Sequence, residues 1–203
     1  MKLHYMGKFS GNVADIPHGE HKPNAVKFKE ADDPKKLAVI ANAWALVITL
    51  VCLAAYGARI GMAGLERGFA VWGQMMIGFG LAMLSLFPHE FLHAVCMKED
   101  VYLYTNFKQG MLFVTGPEDM SKARFVFMSL CPNLVFGLIP FVLFLIWPNL
   151  AVLGALGALS IGAGAGDYYN VFHALTQMPK GARTYLYQFN SWWYLPENKE
   201  EQA

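Results

Sequence analysis

The sequence predicts an all-α integral membrane protein with about four transmembrane helices and a small β-hairpin between the second and third. Three observations carry that expectation. Hydrophobic residues make up 55% of the 203 and charged residues 15%, against roughly 45–50% and 25% in average soluble domains. Mean hydropathy is +0.32, which excludes a disordered or collagen-like chain and argues against an ordinary cytosolic enzyme. Leu37 to Ala58 holds no charged residue, about the length that crosses a bilayer as a helix.

The elements follow in order. Residues 1–36 form a polar N-terminal arm in which Lys22, Lys27, Lys29, Lys35 and Lys36 alternate with Glu20, Glu30, Asp32 and Asp33, punctuated by Pro17, Pro23 and Pro34. It lacks the pattern of a cleavable signal peptide. Span one runs from Leu37 to Ala58, between Lys36 and Arg59, and a loop with Glu66 and Arg67 leads to span two, Phe69 to Met97. Span two is apolar except for His89, Glu90 and His93 near its far end. From Asp100 to Gly116 β-branched and aromatic residues alternate around Lys108, Gln109 and Gly110, the pattern of a hairpin. Ser121, Lys122 and Arg124 open the helix of span three, Phe125 to Trp147, which Pro148 and Asn149 close. Span four runs from Leu150 past Asp167 to about Met178, with Gly154, Ala158, Gly162 and Gly166 as a small-residue seam for close packing. Residues 37–185 are thus one membrane-embedded domain, and 186–203 are a tail with the aromatic group Trp192, Trp193 and Tyr194.

Charge placement gives an orientation. With the N-terminus inside, every Lys and Arg except Arg59 and Arg67 lies on the cytoplasmic side, as the positive-inside rule asks. Both termini are then cytoplasmic. The net charge of +1 gives no electrostatic field for nucleic acid, so the expected partners are the lipid bilayer and a membrane protein or peptide. Cys52, Cys96 and Cys131 are odd in number, lack paired spacing and read as packing residues.

The chemistry concentrates at His89-Glu90-Phe91-Leu92-His93, an HExxH motif. Helical positions i and i+4 share a face, so both imidazoles reach one zinc ion, and Glu90 is placed to accept a proton from a zinc-bound water. Within the four apolar stretches Glu90 and Asp167 are the only acidic residues, and an ionisable group at membrane depth costs about 2.5–3.5 kcal/mol on insertion scales. At about 1.5 Å per residue, His89 and Asp167 lie at similar depth, near the cytoplasmic face. A catalytic zinc takes a third protein ligand and keeps a position for water, and Asp167 is the choice, with Glu99 and Asp100 as fallbacks. Asn170 either orients that carboxylate or the substrate, or binds a neighbouring helix. Asn133, beside Pro132, either donates to an oxyanion or joins helices. The hairpin is either an edge for an extended substrate or a short connection. Pro88 should loosen the backbone one turn upstream and admit water.

HEFLH at the end of one span, a β-rich stretch, Cys131-Pro132-Asn133 in the next span, and Gly166-Asp167-Tyr168-Tyr169-Asn170 followed by Pro179-Lys180-Gly181 together resemble the bacterial putative zincin peptidases, a family long catalogued as a domain of unknown function. Its layout is similar to that of the site-2 intramembrane proteases, which carry Leu-Asp-Gly where this chain has Gly-Asp-Tyr. The resemblance covers roughly residues 37–185. It implies zinc held by His89, His93 and Asp167, Glu90 as general base, and a place in a bacterial plasma membrane. The function expected is hydrolysis of peptide bonds in membrane-embedded or membrane-attached polypeptides. The alternative is a non-catalytic metal-binding scaffold or regulator of the same shape.

Overall fold

A computed structural model of the chain describes residues 2–31, 33–66, 68–109, 111–187 and 190–197. Asp32, Arg67, Gly110 and the last residues of the tail lie outside them. In chain order the described elements are β1 (Leu3–Lys8), β2 (Val26–Lys27), α1 (Pro34–Glu66), α2 (Phe69–Leu84), α3 (Leu86–Val95), β3 (Val101–Asn106), β4 (Met111–Thr115), β5 (Met120–Ser121), α4 (Lys122–Pro132), α5 (Ile139–Ile146), α6 (Ala151–Ala163), α7 (Ala165–Gln177), β6 (Arg183–Tyr187) and β7 (Asn190–Tyr194).

Local chemistry sets the helix ends. Asp33 precedes Pro34 and its carboxylate accepts the Lys35 N–H at 2.9 Å, so α1 starts with an acidic cap and a proline at its first position. Only 6% of the most apolar window of α1 is buried against protein, and Val39, Leu46, Val47, Leu50 and Val51 stand 57–69% exposed. A helix that apolar with so little protein to cover it is long and apolar enough to cross a membrane. α4, the π-helical turn Asn133–Leu138 and α5 make a second long apolar rod, Lys122–Ile146. α2 and α3 meet at a 42° bend. Pro88 has no N–H for the carbonyl four residues upstream, Leu84, and that residue is where α2 stops.

Two of the expectations need correction. Among the described residues two helices are long and apolar enough to cross a membrane, or up to three if the bent pair is one span, in place of four. The expected fourth span is divided at Gly164 into the 13-residue α6 and α7. A Cβ on Gly164 would lie 1.7 Å from the Asn133 amide oxygen, so only a residue without a side chain fits against Asn133 there. The protein is also not purely α-helical. The expected hairpin forms, with Leu103 opposite Val114 and Thr105 opposite Leu112, but β1 joins it in parallel to give the order β1-β3-β4. A second, antiparallel sheet has the order β2-β7-β6-β5. The polar arm and the tail therefore supply strands, and Trp192 and Trp193 pair with Lys27 and Val26 inside this sheet.

α6 is the packing centre of the helices. Its small residues let backbones meet: a Cβ on Gly154 would fall 2.5 Å from the Phe144 ring, and one on Gly157 2.7 Å from the Gly137 carbonyl oxygen. The seam ends at Gly162, because a Cβ on Gly166 would have nothing within 4 Å. Phe144 is fully buried there, stacked on Tyr56 with ring centroids 4.7 Å apart. Both sheets connect to the ends of the helices that carry His93 and Asp167, so the polar residues of the site sit between helices and strands.

Candidate metal centre

α3 presents His89 and His93 on one face, one turn apart, with their Nε2 atoms 3.2 Å from each other. Two atoms each about 2.0–2.1 Å from a tetrahedral zinc lie about 3.3–3.4 Å apart, so the pair fits a shared ion. His89, Glu90 and His93 together offer ligand atoms within 4.8 Å of one another. His93 is 6% and Glu90 9% exposed. His93 Nδ1 donates to the Met128 carbonyl of α4 at 2.9 Å; since a carbonyl only accepts, Nδ1 carries a proton and Nε2 is the nitrogen turned toward the cluster. The Val114 N–H of β4 donates to Glu90 Oε2 at 3.0 Å, which ties the carboxylate to the strand.

α7 brings Asp167 to the same place. Its Oδ2 is 3.2 Å from His89 Nε2 and its Oδ1 is 3.2 Å from His93 Nε2. Asn133 Nδ2 donates to Oδ2 at 2.7 Å, and the Tyr168 hydroxyl reaches Asn133 Oδ1 at 3.4 Å. Asn133 therefore faces Asp167 in this structure. Asn170 lines the adjoining cavity but has no hydrogen bond to Asp167 among the described residues. The fallback carboxylates are elsewhere: Asp100 accepts the Lys2 N–H at 2.8 Å and meets His4, holding β1, while Glu99 is exposed and bonds through its N–H to Glu118. His173 is buried in a separate cluster against Phe28, Tyr169 and Phe172.

The cavity beside the cluster measures about 580 Å³, within the usual range for ligand sites. Leu112 and Val114 of β4, Ala41 of α1 and Leu186 of β6 lie on its wall with Glu90 and His93. Glu118 braces the chain just after α3: it accepts the Lys98 N–H at 2.6 Å and the Glu99 N–H at 3.2 Å and pairs with Arg124. Its burial would push the carboxyl pKa up, but Arg124 and the two amides outweigh that and hold it below the ordinary carboxylate range. Arg124 also donates to the Cys96 carbonyl at 2.8 Å, closing the C-terminal end of α3.

Sequence reasoning missed the two backbone groups at the site, the Val114 N–H and the Met128 carbonyl. The second had a signal, a proline four residues later. The first depends on how the hairpin docks on α3 and had none.

The sequence model of a family described as putative zincin peptidases matches residues 82–183, half of the chain and all of the site. No curated protein and no solved structure matches.

Proposed function

Because the chain belongs to the putative zincin peptidase family, we propose that it is a zinc-dependent membrane peptidase acting on membrane-embedded or membrane-attached polypeptides, with His89, His93 and Asp167 as ligands and Glu90 as general base. The observation that carries this is the convergence of three donors from two helices at 3.2 Å spacings beside a carboxylate on a cavity wall. Three protein ligands leave the open position that a catalytic site keeps. Zinc, when bound, supplies Lewis-acid polarisation of a carbonyl and makes water more acidic. Glu90 accepts the proton of the attacking water and delivers it to the leaving amine. The Val114 N–H fixes one of its oxygens and leaves the other for the proton.

β4 is one of the two edge strands of its sheet, and Leu112 and Val114 line the cavity. An extended substrate segment adds to that edge and lies across the metal site. The substrate bond is thus presented from unwound chain, and a helical membrane segment must open before cleavage. The distribution of Lys and Arg supports an orientation with this end of the protein, and both termini, on the cytoplasmic face of a bacterial plasma membrane.

The test is the metal content of the detergent-purified protein by elemental mass spectrometry. Wild type should carry about one zinc per chain, and His93→Ala and Asp167→Ala should lose it. Glu90→Gln should keep the metal. A wild type that binds no metal even when zinc is supplied overturns the proposal. So does a membrane proteome that is identical in a gene-deleted strain complemented with wild type or with Glu90→Gln.

A further inference from the structure

Pro132 sits in the rod Lys122–Ile146, fully buried, and an interior proline is the least favourable residue a helix can hold. A helical N–H bonds the carbonyl four residues before it, so Pro132, which has none, leaves the Met128 carbonyl without its helical partner. Away from water such a carbonyl must find another donor. The donor it has is His93 Nδ1, 2.9 Å away on α3. That bond puts a proton on Nδ1 and leaves Nε2 facing His89 Nε2 and Asp167 Oδ1, each at 3.2 Å. The irregular turn that follows starts with Asn133, whose amide holds Asp167 at 2.7 Å. One break in one helix thus supplies a fixed partner to two of the three donors.

We propose that Pro132 is a positioning residue: by withholding an N–H it reserves the Met128 carbonyl for His93 and so sets the tautomer and direction of that imidazole. The proposal rests on the assignment of His93 as a metal ligand. Pro132→Ala returns an N–H that competes for the carbonyl, while improving helix propensity. Lactic acid at position 132, introduced by nonsense suppression, has the side chain of alanine and no N–H.

The experiment measures zinc affinity by competition with a chromophoric chelator, and thermal unfolding of the metal-free forms, in wild type and both variants. Pro132→Ala should bind zinc about 10–100-fold more weakly, the usual effect of losing a histidine's outer partner, with an unfolding midpoint equal to or above that of wild type. The lactic acid variant should bind as wild type does. Wild-type affinity in Pro132→Ala overturns the proposal, and so does an ester variant as weak as Pro132→Ala, since the ring and not the missing N–H would then matter. The ¹⁵N shifts of His93 in the metal-free protein at alkaline pH give a separate readout. They should report Nδ1–H in wild type and in the ester variant and a tautomer mixture in Pro132→Ala; an unchanged spectrum in Pro132→Ala overturns the proposal. If wild type binds no zinc, the peptidase proposal falls, and these shifts alone decide the role of Pro132.

Discussion

Asn133 and Gly164 are a pair in which one residue exists to make room for the other. The Asn133 amide donates to Asp167, and the space it occupies is the space a Gly164 side chain would need, with a Cβ only 1.7 Å from Oδ1. Gly164→Ala should therefore displace the amide and cost about 1–3 kcal/mol of stability as overpacking does. On the proposed function it should also weaken zinc binding by about 10–100-fold, and Asn133→Ala should do the same, because both remove the same outer partner of Asp167. Thermal unfolding and chelator competition on the two variants check this. Gly166→Ala is the control: nothing lies within 4 Å of its Cβ position, and it should leave both quantities unchanged. A Gly164→Ala protein that binds zinc as wild type does would show that Asn133 does not orient the carboxylate.

The second sheet is fastened to the start of α4 by Asp119, whose carboxylate takes two hydrogen bonds from the Arg183 guanidinium, at 3.0 and 2.9 Å, and one from the Tyr194 hydroxyl, while its backbone carbonyl takes a third from Arg183 at 3.0 Å. Arg183 holds the Asp119 carboxyl below its ordinary range, against the opposing effect of partial burial and with help from Tyr194. A carboxylate with a lowered folded-state pKa adds stability that is fully present above its unfolded pKa and is lost as pH falls through the folded one. Protection of the β6 and β7 amides against hydrogen exchange should thus hold at neutral pH and decline below the ordinary carboxylate range. In Asp119→Asn it should be low throughout and lose that pH dependence. A decline of equal size in the variant would place its cause elsewhere. Elements differ in how far they are legible for the same kind of reason. Spans one and three are long charge-free runs, and β3 and β4 alternate on a period of two, so both are local patterns. β1 has the sequence Leu-His-Tyr-Met-Gly-Lys and becomes a strand by pairing in parallel with Val101–Thr105, almost a hundred residues away. The break at Gly164 hides in a run of Gly and Ala, and the side chain that occupies the space beside it, Asn133, is distant in sequence. At the site, the histidines, Glu90 and Asp167 are legible by spacing and by the cost of charge at depth, whereas the Val114 N–H belongs to a docking geometry no local pattern encodes.

At the scale of the whole molecule, the chain turns polar at one end. β1 and β2 near the N-terminus and β6 and β7 near the C-terminus join the strands that follow α3, so strands from both halves of the chain gather at the end that holds the candidate metal centre. Arg59 is at the far end of α1 and donates to the Leu145 carbonyl at 2.7 Å, next to the connection between α5 and α6. The surface between these ends is bare apolar helix, as the exposed side chains of α1 show. If the sheet-bearing end faces the cytoplasm, Lys8 and Asn149, both exposed, lie on opposite sides of the membrane. With Cys52, Cys96 and Cys131 replaced by Ala, Asn149→Cys should react with a membrane-impermeant maleimide in intact cells. Lys8→Cys should react only after the membrane is opened. The inverse pattern would put the metal centre outside the cell, and labelling of both in intact cells would rule out a bilayer between the two ends. Under the proposed function, the expected pattern restricts substrates to polypeptides whose cleavable segment reaches the cytoplasmic side, because β4 and Glu90, the proposed substrate contacts, lie there and nowhere else along the helices.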